Sequence, residues 1–392
     1  MKTETEKRYP SADMRDIMRP RWKCMLSRIS EWLGHSFLFL ITALSAFSVF
    51  VIFFFILKDA LIFFQKGNLK EFFFSVQWFP SREPAEFGAA SIFFGSFMVT
   101  AGACIFAIPA GITTAVCLSD VLPFTLRQML KPLIEILAAI PSVAYGFFAL
   151  IVIAPLMQEN GGQLIAIFFS LMSLPIGMVI IVAGDILDGK VSHLFKSEYS
   201  AKVFQIIVTA IFLCSEAALF YSLYNKLSLV KISSGTNALN ASFILGIMIL
   251  PTIISVSEDA LQAVGRELRE GSYALGATRT ETILYVVIPA AAPGIISAII
   301  LGIMRAAGET MVVWMASGNS AKIPEPFFNF LEPVRTMTAT IAGDMGEADH
   351  VSGSMRYHVL FALASCMLLI SFALNIACEW IAKSNRRKVG GE

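Results

Sequence analysis

The chain has 392 residues, of which 56% are hydrophobic and only 15% charged, with 30 Lys and Arg against 29 Asp and Glu. Soluble domains carry about 25% charged residues, so a water-soluble protein is the reading that composition excludes first. What remains is an all-α fold, a polytopic bundle of transmembrane helices, because a helix alone satisfies its own backbone in lipid and needs about 20 apolar residues to cross it.

In chain order, residues 1–36 form a mixed-charge tail able to touch lipid headgroups, without the basic start, short apolar core and small-residue cleavage site of a secretory signal. The first anchor follows at 37–57. Further windows without Asp, Glu, Lys or Arg lie at 88–119, 160–184, 232–257 and 359–378. Three more carry charge: 132–158 holds Glu135, 203–225 holds Glu216, and 282–315 holds Arg305 and Glu309. These make about eight spans, of which the two within 161–234 read as lipid-facing helices inserted into a six-span core.

Lys and Arg are retained on the cytoplasmic side of a membrane. With both termini cytoplasmic, the inner segments hold 20 of the 30 basic residues, the opposite loops nine, and Arg305 lies within a span. Residues 384–392 are then a cytoplasmic tail. Five of the six Cys fall in spans and Cys24 in the tail, with no CxxC pair or Cys/His cluster, so neither a disulfide framework nor a metal site is expected. No Gly-x4-Gly-Lys-Ser/Thr loop occurs, so the chain should not hydrolyse ATP itself. The four His are scattered, which weakens an enzyme reading, and no cofactor or nucleic-acid partner is expected.

The most informative stretch is cytoplasmic loop 258–289, predicted to form two short helices broken by a turn. Gly276 suits the left-handed residue that ends a helix. Thr278-Arg279-Thr280-Glu281 has the spacing of a capping box, so a new helix should start at Arg279. Pro289 should mark where that helix gives way to the next span.

Glu270-Gly271-Ser272, three residues, Gly276, nine residues, then Val286-Val287-Ile288-Pro289 resembles the coupling loop of the transmembrane subunits of binding-protein-dependent ABC importers. Gly271 and Ser272 stand where that pattern has two alanines. The likeness implies a permease domain over 87–383 whose Glu270, Gly276, Thr278, Glu281 and Pro289 belong to the element that docks on an ATPase subunit. It also implies a second permease, two ATPase subunits, a periplasmic binding protein and a place in the bacterial inner membrane.

LAAIPSVAYG at 137–146, MRAAGETMVV at 304–313 and TMTATIAGDMGEA at 336–348 are similar to the phosphate-permease branch of that family. The long loop 317–357 and the Met-Val-Val run favour the PstC type over its PstA-type partner. Phosphate is thus the implied solute, with sulfate or molybdate as alternatives; a secondary transporter or channel is the rival from another class.

Arg305 and Glu309 are four residues apart, so one helix would present both on one face. At bilayer depth they need a wet cavity or each other. Two readings stay open: an anion path in which Arg305 binds oxyanion oxygens and Glu309 holds it between substrates, or a buried pair that fixes packing. Pro141 should kink its span, as part of a gate or only as bundle shape. Lys131 and Glu135 read as an interfacial pair.

Overall fold

The computed structural model describes residues 21–167, parts of 210–226, 232–348 and 354–390. These residues are overwhelmingly helical; the sheet among them is a two-residue hairpin, β1 (Trp78–Phe79) against β2 (Glu86–Phe87), with Trp78 opposite Phe87. In chain order come α1 (Arg21–Lys66), α2 (Leu69–Phe74), α3 (Ala90–Val121), α4 (Phe124–Ala139), α5 (Ser142–Ile167), α6 (Ala238–Gln262), α7 (Arg266–Ala274), α8 (Arg279–Ala307), α9 (Met311–Ala316), α10 (Met337–Met345) and α11 (Met355–Gly390).

The chain divides into two compact units, Met1–Lys58 and Asp59–Glu392. In the first, Phe37, Leu38, Phe39, Leu44, Phe47 and Phe50 are exposed on α1. Such a helix is insoluble unless lipid covers it.

In the second unit α6 is the central element, packed along α3 and α8. Close approach depends on glycine: a Cβ on Gly111 of α3 would lie 2.7 Å from Ile253 Cγ2, and one on Gly302 of α8 would lie 2.8 Å from Ile253 Cγ1. Lipid supplies no hydrophobic drive between helices, so small residues that bring backbones together carry the packing. Met98 and Val99 of α3, Ile244, Leu245 and Ile249 of α6, Ala306 of α8 and Val312 of α9 complete that core. A second cluster joins Phe63, Phe72 and Trp78 to Val359, Leu360 and Leu363 of α11.

Six helices among the described residues are long and apolar enough to cross a membrane: Glu31–Lys66, Ala90–Val121, Ser142–Ile167, Ala238–Gln262, Arg279–Ala307 and Met355–Ile381. Three expectations need correction. The span expected at 132–158 is not one kinked helix, because Ile140 (ψ 128°) and Pro141 (ψ 138°) are both extended and separate α4 from α5. No loop follows Gln158; α5 runs on through Gly162 to Ile167. The window 282–315 is also divided, since α8 stops at Ala307 and α9 starts at Met311. Most of the expected insertion, including Glu216, lies outside the described residues.

Pro289 stands in the first turn of the helical segment Ile288–Ala307, where the expected handover to the span falls, but no break in the chain precedes it. Ile288 N–H bonds to the Ile283 carbonyl, five residues back, in a π-helical turn over Ile283–Val287. This wider register absorbs the donor that proline lacks, so α8 runs unbroken from Arg279.

Candidate functional site

At one end of the second unit α7 and the start of α8 form a helical elbow. Gly276 between them has φ +84°, the left-handed conformation that an L side chain resists. Thr278 is an extended N-cap: its hydroxyl accepts the Glu281 N–H, and the Glu281 carboxylate takes the Thr278 N–H at 2.8 Å. The capping box is therefore closed in both directions. Ser272 and Thr282 hydroxyls meet at 2.9 Å and hold the two arms together.

One buried carboxylate seats this elbow, and a second ties the neighbouring end of α6 to α4. Asp120, at the end of α3, pairs with Arg269 of α7, and its backbone carbonyl accepts from Arg279. Arg269 also donates to the Leu261 carbonyl of α6 at 2.8 Å. Glu258, 1% exposed near the end of α6, holds Arg127 at 2.8 Å and Lys131 at 3.3 Å on α4, and takes Gln262 Nε2–H at 2.6 Å. Breaking one partner of a buried charge pair is costly because it strands the other. Burial alone would lower the Lys131 pKa, but Glu258 and Asp259 outweigh it and hold it above its ordinary value. Lys131 thus pairs with α6, not with Glu135.

Away from those carboxylates the elbow is bare. Glu270 is exposed, as are Leu268, Tyr273, Leu275 and Tyr285. Leu275 is 90% exposed, which the chain itself does nothing to offset.

The second region lies within the helices. Thr252 is ten residues from the end of α6 at Gln262 and fourteen from its start, about 15 Å and about 21 Å by helix rise, so it sits near mid-length. Arg305, in the last turn of α8, donates through Nη1 to Thr252 Oγ1 at 2.8 Å. A cation there is favoured by the helix dipole. Beside Thr252 opens a cleft of about 420 Å³ lined by Glu135, Ala138 and Ala139 of α4 and by Pro251 and Ser255 of α6. The α4–α5 break borders it, braced by Tyr145 O–H donating to the Leu137 carbonyl at 2.8 Å.

Arg305 and Glu309 are not brought together. Gly308 to Thr310 breaks the helix between them, and Glu309 Oε1 accepts the N–H groups of Met311 (3.1 Å) and Val312 (3.4 Å) at the start of α9. Its carbonyl takes the Thr338 hydroxyl at 2.7 Å. Glu309 is a helix cap here, while Arg305 stands exposed beside the cleft. Two helix breaks, at Ile140–Pro141 and Gly308–Thr310, thus fall side by side: α5 and α9 are in contact, and Gly146 faces the Met311 carbonyl. Irregular backbone at membrane depth is tolerated only where protein or a wet cavity covers it.

Residues 107–387 match the family of binding-protein-dependent transport system inner membrane components. The chain belongs to that family. Family members are permease components, so the chain is a multi-pass membrane permease of an ABC importer, and the ATP hydrolysis that drives such importers resides in separate subunits. Among relatives, the probable ABC transporter permease protein YqgH of Bacillus subtilis is 31% identical over 81% of this chain and 79% of its own length. The phosphate transport system permease protein PstC of Mesorhizobium japonicum is 30% identical over 77% and 75%. A probable phosphate transport system permease protein PstC of Methanocaldococcus jannaschii is 27% identical over 89% and 94%. No solved structure matches.

Within the permease, the elbow occupies the place of the coupling loop that the sequence pattern marks. Asp120, Glu258 and Thr252 went unnoticed in the sequence. Asp120 and Glu258 sit where an apolar run meets its first charges, a position that ordinary interfacial residues share, and nothing local distinguishes Thr252 from other span hydroxyls. No group of three or more His, Cys, Asp or Glu able to hold a metal occurs among the described residues.

Proposed function

We propose that this permease forms, with a second permease, the path by which inorganic phosphate enters the cell, and that it is the PstC-type member of the pair. The observation that carries the reading is Arg305: a guanidinium on Thr252 near helix mid-length, exposed, beside a cleft and two helix breaks. A cation at that depth cannot face lipid at a tolerable cost. The face it occupies also includes α4, which buries no residue and exposes Phe124, Met129, Leu133 and Ile136. A second permease covering this face would enclose Arg305 in a two-sided path, where a planar guanidinium suits phosphate oxygens. Choice of phosphate rests on the names of the PstC relatives, since one Arg does not separate phosphate from sulfate.

Drive comes from the elbow. The exposed Leu268, Tyr273, Leu275 and Glu270 present it to an ATPase subunit, and Gly276, the Thr278–Glu281 box and the helix through Pro289 keep it stiff. When ATP closes the paired ATPase subunits, the elbow moves; Asp120 carries the displacement to α3, and Glu258 links α6 to α4, whose far end is the Pro141 break beside the cleft. A periplasmic phosphate-binding protein delivers the anion on the opposite side. The test is reconstitution: the chain, its partner permease, the ATPase subunits and the binding protein in proteoliposomes should accumulate phosphate only with ATP. ATP-independent accumulation by the permeases alone would replace this reading with a secondary transporter or channel.

A further inference from the structure

At the end of the helices remote from the elbow, Arg335 and Arg356 are each half used. Arg335 Nη2 donates to Asp344 Oδ1 at 2.6 Å, and the other Asp344 oxygen takes the Trp78 indole N–H at 3.1 Å. Arg356 Nη2 donates to Glu347 Oε2 at 2.7 Å. The Nε–H of both guanidinium groups is enclosed by protein and has no acceptor. Hydrogen bonds to charged groups are the strong ones, so the guanidinium edges that the two carboxylates leave unused suit an anionic acceptor.

Arg82 is the third member. Its guanidinium carbon lies 5.3 Å from the Phe79 ring centre, and it has no carboxylate partner among the described residues. Arg82, Arg335, Arg356, Asp344, Glu347 and Trp78 line one open cleft of about 470 Å³, completed by the Phe79–Ser81 turn. The lining itself carries three guanidinium groups and two carboxylates. The two acids already hold one edge of Arg335 and Arg356, so their remaining donors are fixed before any ligand arrives, which lowers the cost of binding.

We propose that this cleft is an oxyanion-binding site, taking a free inorganic anion of the phosphate class at the outer mouth of the permease. Its link to transport rests on the proposed phosphate path, whereas the binding itself does not. We take a free anion as the occupant because five of the nine residues lining the cleft are charged, and the nanodisc arm of the test below separates it from a lipid headgroup.

The test is equilibrium binding of labelled phosphate to the assembled transporter, purified in detergent and depleted of phosphate. It is run on the parent protein, on Arg82→Gln, and on Arg305→Ala, which removes the membrane-depth cation. Arg82 is exposed, so its loss leaves the fold intact. The expected result is binding that survives Arg305→Ala and weakens at least about tenfold in Arg82→Gln, as loss of a charged hydrogen bond requires. Equal binding in Arg82→Gln and parent overturns the site while leaving the phosphate path untouched. Conversely, weakened binding in Arg82→Gln together with normal phosphate uptake by cells lacking the chain overturns the path and keeps the site. Repetition in nanodiscs separates the sources: phosphate binding abolished by phosphatidylglycerol but not by phosphatidylcholine would assign the cleft to an anionic headgroup and overturn the free-anion proposal.

Discussion

Arg305 and Glu309 carry different duties although they sit in one motif. Arg305 touches Thr252 beside the cleft, and Glu309 caps α9. Arg305→Ala should abolish uptake with normal membrane levels of the chain. Glu309→Ala should instead loosen the start of α9, at about 1 kcal/mol, the usual cost of a lost helix cap. Glu309→Gln, which keeps an acceptor oxygen, should restore most uptake; if it behaves like Arg305→Ala, the carboxylate charge itself is needed and the cap reading fails. The sequence suggested one helical face for both residues because MRAAGETMVV is apolar enough to run through as a span. Gly308 followed by Glu309-Thr310 is in fact stop-then-start punctuation, legible only once a break within a span is entertained. The ion pairs at the other end behave simply with pH. The Lys131 pKa is raised by Glu258 and Asp259, so its contribution is complete below the ordinary lysine value and is lost only as pH rises through the raised one. Coupling of ATP hydrolysis to uptake should therefore show no step from this residue between about pH 6 and 9.

Elements, more than single residues, were readable in advance. The left-handed Gly276, the capping box from Thr278 and the helix start at Arg279 all stand as their spacing implies, because turn and cap chemistry is local. Pro289 opens the helical segment from Ile288 as its spacing implies, but the unbroken join to Arg279 was not legible, because it depends on a π turn that leaves no trace in residue spacing. Pro141 shows the converse, a proline that does divide a span. Gly276→Val should strain the elbow by about 1–2 kcal/mol, the cost of a left-handed residue with a side chain, and lower phosphate carried per ATP hydrolysed while the complex still assembles. Unchanged stoichiometry would show that the turn is not part of the drive. Asp120→Asn should uncouple in the same way, and the exchange Asp120→Arg with Arg269→Asp should recover part of the loss, which damage to packing alone would not permit.

For the molecule as a whole, composition and window hydropathy establish a polytopic helical bundle, and the structure agrees on class while dividing two of the expected spans. What sequence could not supply is which surface stays bare. A covered helix and an uncovered one are equally apolar in a membrane protein, so the exposure of α4 and Arg305 emerges only from the packed chain. That bare face is where the second permease is expected. Gly302→Leu, which would drive a side chain into Ile253, should keep α8 from seating on α6 and reduce assembled complex recovered from membranes, without a separate effect on the elbow.

Uptake of labelled phosphate, with sulfate and molybdate in parallel, is the most direct measurement, made in cells lacking this chain and in the same cells supplied with the parent or with Arg305→Ala. Phosphate uptake restored by the parent alone, with the other two anions unaffected throughout, is the predicted result. Restoration by Arg305→Ala to the parent's level would contradict the anion path, and phosphate uptake undiminished without the chain would contradict phosphate as its solute.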